Sequence, residues 1–197
     1  MGGKRAGLSQ PDHALDRAGT GAACRRWAPA QQRGHARVTA ARVRAVHPHD
    51  HTALLALNNA DASALSWLTP DALVSLLQQA WHARVADPAD ALLIALDQHA
   101  IYANANFAWM AARFARFVYV DRIAVAAHAR RRGLATQLYD ELIREARASG
   151  HARLVCEVNL LPANPASLAL HRQLGFQPIG EAVLESGKRV QYLEKAL

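Results

Sequence analysis

The chain is predicted to fold as an α/β (α+β) protein, with a mixed central sheet of about six to seven strands and about four helices on its two faces. Three observations carry this expectation. Apolar residues recur at helical spacing in some segments and as short β-branched runs in others. Proline-led helix openings at Thr69-Pro70 and Asn164-Pro165, and glycine stops at Gly150 and Gly175, punctuate those segments. The run from Val118 to Ala135 passes from a β-branched strand through a basic turn and opens a helix at Arg130-x-x-Gly133-x-Ala135.

The elements follow in order. Residues 1–36 are rich in Gly, Ala, Arg and Gln and show no periodicity, so they read as a disordered basic tail. The folded domain is placed at 37–197. A first strand is expected over 38–46, then a helix over 51–57 closed by Asn58-Asn59, and a loop over 61–69. Thr69 as N-cap and Pro70 as first helical residue open a second helix, which Leu73, Leu76, Leu77, Ala80 and Trp81 carry to about His82. Two strands, 84–86 and 91–96, flank the turn Asp87-Pro88-Ala89-Asp90. Residues 99–116 form an aromatic segment of no assigned structure. A buried strand over 117–126 leads to a helix over 131–149, whose core stripe is Leu134, Leu138, Leu142 and Ala146. A strand over 153–160, a helix over 166–174 and a hairpin (177–184, 188–194) around Ser186-Gly187 complete the chain.

Composition narrows the function classes. The net charge is +7, yet residues 1–45 hold nine Lys or Arg against two acids. The rest holds 14 of each, so the basicity belongs to the N-terminal segment and nucleic acid is not the expected partner of the domain. No apolar run approaches the roughly 20 residues of a membrane span, and no apolar signal core occurs near the start. Two cysteines make no disulfide framework, Cys156 reads as a buried thiol, and the cytoplasm is the expected compartment. His47, His49 and His51 alternate around Pro48 without a completing acid or thiol set, so they read as a surface loop and no metal is expected.

The chemistry centres on the strand–turn–helix at 118–135. Unpaired N–H groups in a helix's first turn, with the helix dipole, favour an anion there. About thirty residues on, the strand ending in Asn159 leads through Asn164-Pro165-x-Ser167 to His171-Arg172-Gln173-Leu174-Gly175-Phe176. Together these two elements resemble the GNAT superfamily of acyl-CoA-dependent N-acyltransferases. The resemblance covers about residues 37–197 and implies a mostly antiparallel sheet. It also implies acetyl-CoA as acyl donor, an amine as acceptor and direct attack in a ternary complex. By the same resemblance, backbone N–H groups of Arg131, Arg132, Gly133, Leu134, Ala135 and Thr136 would hold the pyrophosphate, with Arg130, Arg131 and Arg132 adding charge. Gly133 is expected to spare the ligand a clash with a Cβ. Ile123, Ala124 and Val125 would pair their backbone with the pantetheine arm, and Asn159, Asn164 and Ser167 would contact it.

Attack needs a neutral amine, so a base is sought. Strand alternation predicts one face of Tyr119, Asp121, Ile123 and Val125, and another of Val155, Glu157 and Asn159. Glu157 and Asp121 are therefore the candidate bases, or structural ion-pair partners of Arg113, Arg122 or Arg153. Many members of the superfamily carry a tyrosine, as acid for the departing thiolate, where this chain has His171. That histidine is the candidate acid or else a packing residue. Between aromatics, Asn104 and Asn106 suggest an acceptor pocket. The alternative to an enzyme is a non-catalytic acyl-CoA-binding sensor or scaffold. A homodimer, and the tail as a nucleic-acid arm, are left open.

Overall fold

The computed structural model describes residues 42–197. The expected tail, 1–36, and the start of the expected first strand lie outside the described residues. Within them the elements are β1 (Val43–Ala45), a 3-10 turn (Pro48–Asp50), α1 (His51–Ala60), α2 (Ala62–Leu65), α3 (Pro70–Gln79), β2 (His82–Ala86), β3 (Ala91–Asp97) and α4 (Ala105–Ala111). Then follow β4 (Val118–Val125), α5 (Leu134–Ala148), β5 (Arg153–Leu161), α6 (Pro165–Gln173), β6 (Gln177–Val183) and β7 (Arg189–Ala196). The seven strands form one mixed sheet in the order β1-β2-β3-β4-β5-β7-β6. Every pairing is antiparallel except β4 with β5.

Sequence pattern explains the layers. In β3 every residue from Ala91 to Leu96 is fully buried. An unbroken apolar run suits a strand covered on both faces. Leu93 and Ala95 enter a core with Leu134, Leu138, Tyr139 and Leu142 of α5. Leu92, Ile94 and Leu96 enter the opposite core with Leu54 of α1, Leu73 and Leu76 of α3, and Phe107 and Met110 of α4. Each such leucine, fully buried, stabilises the fold by about 1.5–3 kcal/mol. Among the described residues no helix is long and apolar enough to cross a membrane.

Four expectations change. The expected loop over 61–69 contains the short helix α2. The second helix ends at Gln79 rather than near His82, because Ala80 turns extended and His82 opens β2. Trp81, apolar at helical spacing, instead packs on the α5 side of the sheet and edge-on to His151. The aromatic segment contains a helix, α4, whose N-cap is Asn104: its side-chain oxygen accepts from the N–H groups of Asn106 and Phe107. Finally, α1 runs through Asn58-Asn59 to Ala60. The two asparagines face inward and tie down the following loop. Asn59 bonds both backbone groups of Leu68, and the buried Asn58 amide donates to the Ser66 carbonyl.

Candidate active site

Strands β4 and β5 pair only at Val118 with Leu154 and Tyr119 with Val155, and then diverge. The divergence opens a cavity of about 940 Å³ whose walls include both strands, the start of α5, α6 and the α1–α3 loop. Beyond Tyr119 the edge of β4 that faces the cavity has no strand partner. It therefore offers main-chain groups to a ligand, as an added strand would.

A β-bulge decides which side chains reach this cavity. Arg122 pairs with Ile94 and Val120 with Ala95, which leaves Asp121 as the extra residue in β4. The alternation expected over Tyr119, Asp121, Ile123 and Val125 is thereby broken. Tyr119 packs with the α4 side, whereas Ile123 and Val125 pack on the α5 side. Arg122, at 6% exposure, turns to the α1–α3 loop. Its Nη1 donates to the Asn58 side chain (2.8 Å) and to the carbonyls of Leu65 and Ser66, and its Nε lies 3.0 Å from Asp121 Oδ2. Asn159 Nδ2 donates to the Ala64 carbonyl (3.2 Å), and Arg130 Nη2 to Asp61 Oδ2 (2.9 Å). The loop is thus strapped over the divergence from β4, β5 and the basic turn. An Asn-Asn pair inside an amphipathic helix was the only sequence sign of this strap.

The two carboxylates sit differently. Glu157 lies deep in the protein yet lines the cavity. Asn106 Nδ2 donates to its Oε1 (2.9 Å) and the Tyr119 hydroxyl to its Oε2 (2.8 Å). Burial, and then the nearby Asp121 charge, push its pKa up to about 7. Asp121 accepts from the Tyr102 hydroxyl (2.7 Å), and burial raises its pKa too, against the pull of Arg122. Neither carboxylate pairs with Arg113 or Arg153, which lie respectively over the Trp109 ring and beside Glu194.

At the start of α5, Gly133 caps the helix with φ +79°, and the first intrahelical bond runs from Gln137 N–H to the Gly133 carbonyl. The N–H groups of Leu134, Ala135 and Thr136 stay outside the helix ladder, at the cavity wall. The helix starts three residues later than expected. A Cβ at Gly133 would meet nothing within 4 Å, so its positive φ, rather than clearance from the protein, calls for glycine. Arg131 holds a left-handed φ of +62° and forms no ion pair among the described residues. Arg132 turns to Asp90 (3.4 Å), which also holds His128 (2.8 Å). Arg132 and Ala124 (3% exposed) do not line the cavity, whereas Ile123, Val125, Arg130 and Arg131 do.

Asn159, Asn164, Ser167 and His171 also border the cavity. The Asn164 side-chain oxygen caps α6, accepting from the Ser167 N–H (3.1 Å). His171 is buried at 2% exposure, with Nδ1 2.8 Å from the Ser167 carbonyl and Nε2 2.6 Å from the Tyr139 hydroxyl. A carbonyl can only accept, so Nδ1 carries the hydrogen and Nε2 accepts from Tyr139. Burial lowers the pKa of the ring. The neutral imidazole so described has no proton aimed into the cavity, which counts against the expected acid role.

Cys156 is a buried thiol, as expected. Elsewhere, His82, Glu141 and Glu145 approach each other closely, but Arg84 donates to both glutamates, so the cluster is a salt-bridge network. His47 and His49 stack on each other at the start of α1.

Residues 54–176, more than half of the chain, match the acetyltransferase (GNAT) family model. The chain belongs to the GNAT family. Solved structures share the fold. Ard1 from Thermoplasma volcanium is 14% identical with a TM-score of 0.65, over 80% of this chain and 98% of that one. Ribosomal-protein-alanine N-acetyltransferase from Brucella melitensis is 25% identical with a TM-score of 0.56, over 79% and 99%. The yncA protein from Salmonella typhimurium, solved with its cofactor acetyl-CoA, is 17% identical with a TM-score of 0.59, over 79% and 93%. No curated protein sequence matches the chain. Membership in GNAT makes the protein an acyltransferase, and the mixed, mostly antiparallel sheet is that family's fold.

Proposed function

We propose that the protein transfers an acetyl group from acetyl-CoA to a primary amine by direct attack, with Glu157 as general base. The observation that carries this reading is a carboxylate with a pKa of about 7 in the wall of the cavity that opens where β4 and β5 part. The residues present fit the donor. Three N–H groups at the start of α5 and the Arg131 side chain meet an anion, while the unpartnered edge of β4 meets amide groups. Bound there, acetyl-CoA supplies the activated acyl carbon. Glu157 takes the proton from the amine as it attacks, the thioester C–S bond breaks, and the coenzyme A sulfur departs as a thiolate that takes its proton from solvent; Asp121 tunes Glu157 through its charge. His171 serves as acceptor for the Tyr139 hydroxyl. Much of the rate comes from holding the two reactants together.

The base also selects among amines. Proton transfer to a group of pKa about 7 is uphill by about one unit from an α-ammonium and by about three from an alkylammonium. An α-amine is therefore the favoured acceptor, in keeping with the name of the Brucella melitensis neighbour. In a CoA-release assay at pH 7, peptides with free α-amines should exceed Nα-blocked lysine in kcat/KM by roughly tenfold or more. Equal rates would remove the α-amine preference. Calorimetry tests the donor: acetyl-CoA should bind, and Arg131→Ala with Gly133→Ala should weaken it by about tenfold, since alanine at a positive φ costs about 1–2 kcal/mol. Absence of binding by the unaltered protein would end the transferase reading. Binding with no turnover of any amine would favour an acyl-CoA sensor instead.

A further inference from the structure

We infer that Asn106, oriented by Tyr192, is a positioning residue that holds Glu157 as an acceptor-only carboxylate facing the cavity. The inference rests on the reading of Glu157 as base. It starts from the Asn106 amide, which is buried at 6% exposure on α4 and has two partners on two different strands. The Tyr192 hydroxyl of β7 donates to Asn106 Oδ1 (3.1 Å), and Asn106 Nδ2 donates to Glu157 Oε1 of β5 (2.9 Å). With Oδ1 accepting from a phenol, the amide can present only its NH₂ to Glu157. A flipped amide would set two acceptors against each other.

Tyr192 is itself held. Its ring is fully packed and stacks on Trp109 at 3.9 Å and 20°. Gly180 of β6 makes room for that stack, because a Cβ there would lie 2.9 Å from Trp109 Cζ2. Arg113 covers the Trp109 ring at 3.4 Å from its centroid. Three elements, α4, β6 and β7, therefore converge on the orientation of one amide.

Other titratable groups face Glu157 and leave this role to Asn106. Asp121 of β4 opposes the anion, and the Tyr119 hydroxyl of β4 occupies Oε2. Tyr102 is taken up by Asp121, Tyr139 by His171, and Cys156 is a buried thiol. With Tyr119, Asn106 is one of two side-chain donors that favour the charged form of the base, and it is the one whose direction a third residue fixes.

The test follows the carboxyl carbon of Glu157 by NMR in the full chain labelled at glutamate, the resonance being assigned by its absence in Glu157→Gln. Asn106→Leu should raise the titration midpoint by about one unit or more, as loss of a hydrogen bond to a charged group requires. Tyr192→Phe, which frees the amide to flip, should raise it by less. Under the transferase reading, Asn106→Leu should also lower kcat at pH 7, recover at higher pH and leave the KM for acetyl-CoA unchanged. An unmoved midpoint in either variant overturns the inference, and if Asn106→Leu fails to fold, Tyr192→Phe decides. Because the titration needs no acceptor, its result stands apart from failure of the transferase reading, which would show as no turnover of any amine.

Discussion

Glu157→Gln should lower kcat by about 10²- to 10⁴-fold, the range of a positioned general base, while leaving acetyl-CoA binding close to unchanged. Glutamine keeps the shape and still accepts from Asn106, and the Tyr119 hydroxyl can turn to accept from the new NH₂. The acid limb of the kcat profile should vanish with the carboxylate. In the unaltered protein that limb should lie near pH 7, the value to which burial pushes the Glu157 carboxyl. The same shift has a consequence for folding. A carboxyl whose pKa rises on folding, from 4.5 to about 7, binds its proton more tightly in the native state. Below about pH 4.5 it therefore costs the fold nothing. Between that pH and 7 a penalty builds, to about 3 kcal/mol for the ionised form. Glu157→Gln should accordingly raise thermal stability at pH 8 and have little effect at pH 4.5. A stability difference that does not change with pH, or a kcat within threefold of the unaltered protein, would show that Glu157 is not the base described.

The sequence carried the fold further than the site. Strands 84–86, 91–96 and 153–160, the Thr69-Pro70 helix opening and the α5 core stripe were legible because each rests on local periodicity or capping. Asn159, Glu157 and the basic turn before α5 were expected at one site only through the resemblance of their two strand–helix elements to GNAT, and α5 itself starts three residues later than expected. The bulge at Asp121 was not, since nothing in Val120-Asp121-Arg122 marks an extra residue. It is set by where β3 must pair, and one such residue flips every later side chain across the sheet. That is why the expected face of Tyr119, Asp121, Ile123 and Val125 divides. Asn104 and Asn106 drew notice as pocket residues, but the capping role of the one and the Glu157 contact of the other depend on a helix hidden among aromatics. Likewise, His171 was read from its position relative to Leu174-Gly175-Phe176. Its partner Tyr139, 32 residues earlier in the chain, decides what it can do.

Arg122→Met is expected to cost about 3–5 kcal/mol of folding stability, the range for breaking a buried ion pair from one side. The guanidinium and the Asp121 carboxylate are exposed by only 6% and 4%, so neither is solvated as a surface pair would be. Methionine fills much of the volume but leaves Asp121 with the Tyr102 hydroxyl alone. It also strips donors from Asn58 and from the carbonyls of Leu65 and Ser66. The strap should loosen before the sheet does. Hydrogen exchange at residues 61–68 should rise more than at β3, whose buried strand carries none of these bonds. Arg122→Lys should recover only part of the loss, because one ammonium cannot span partners that a planar fork reaches together. Asp121→Asn in the Arg122→Met background should recover more, since removing the orphaned charge takes away the larger share of the penalty. Chemical denaturation of the unaltered protein, Arg122→Met, Asp121→Asn and the double variant measures this cycle. A cost below about 1 kcal/mol for Arg122→Met, the worth of an exposed pair, would mean that the strap is held by Asn58, Asn59 and Asn159 without the cation.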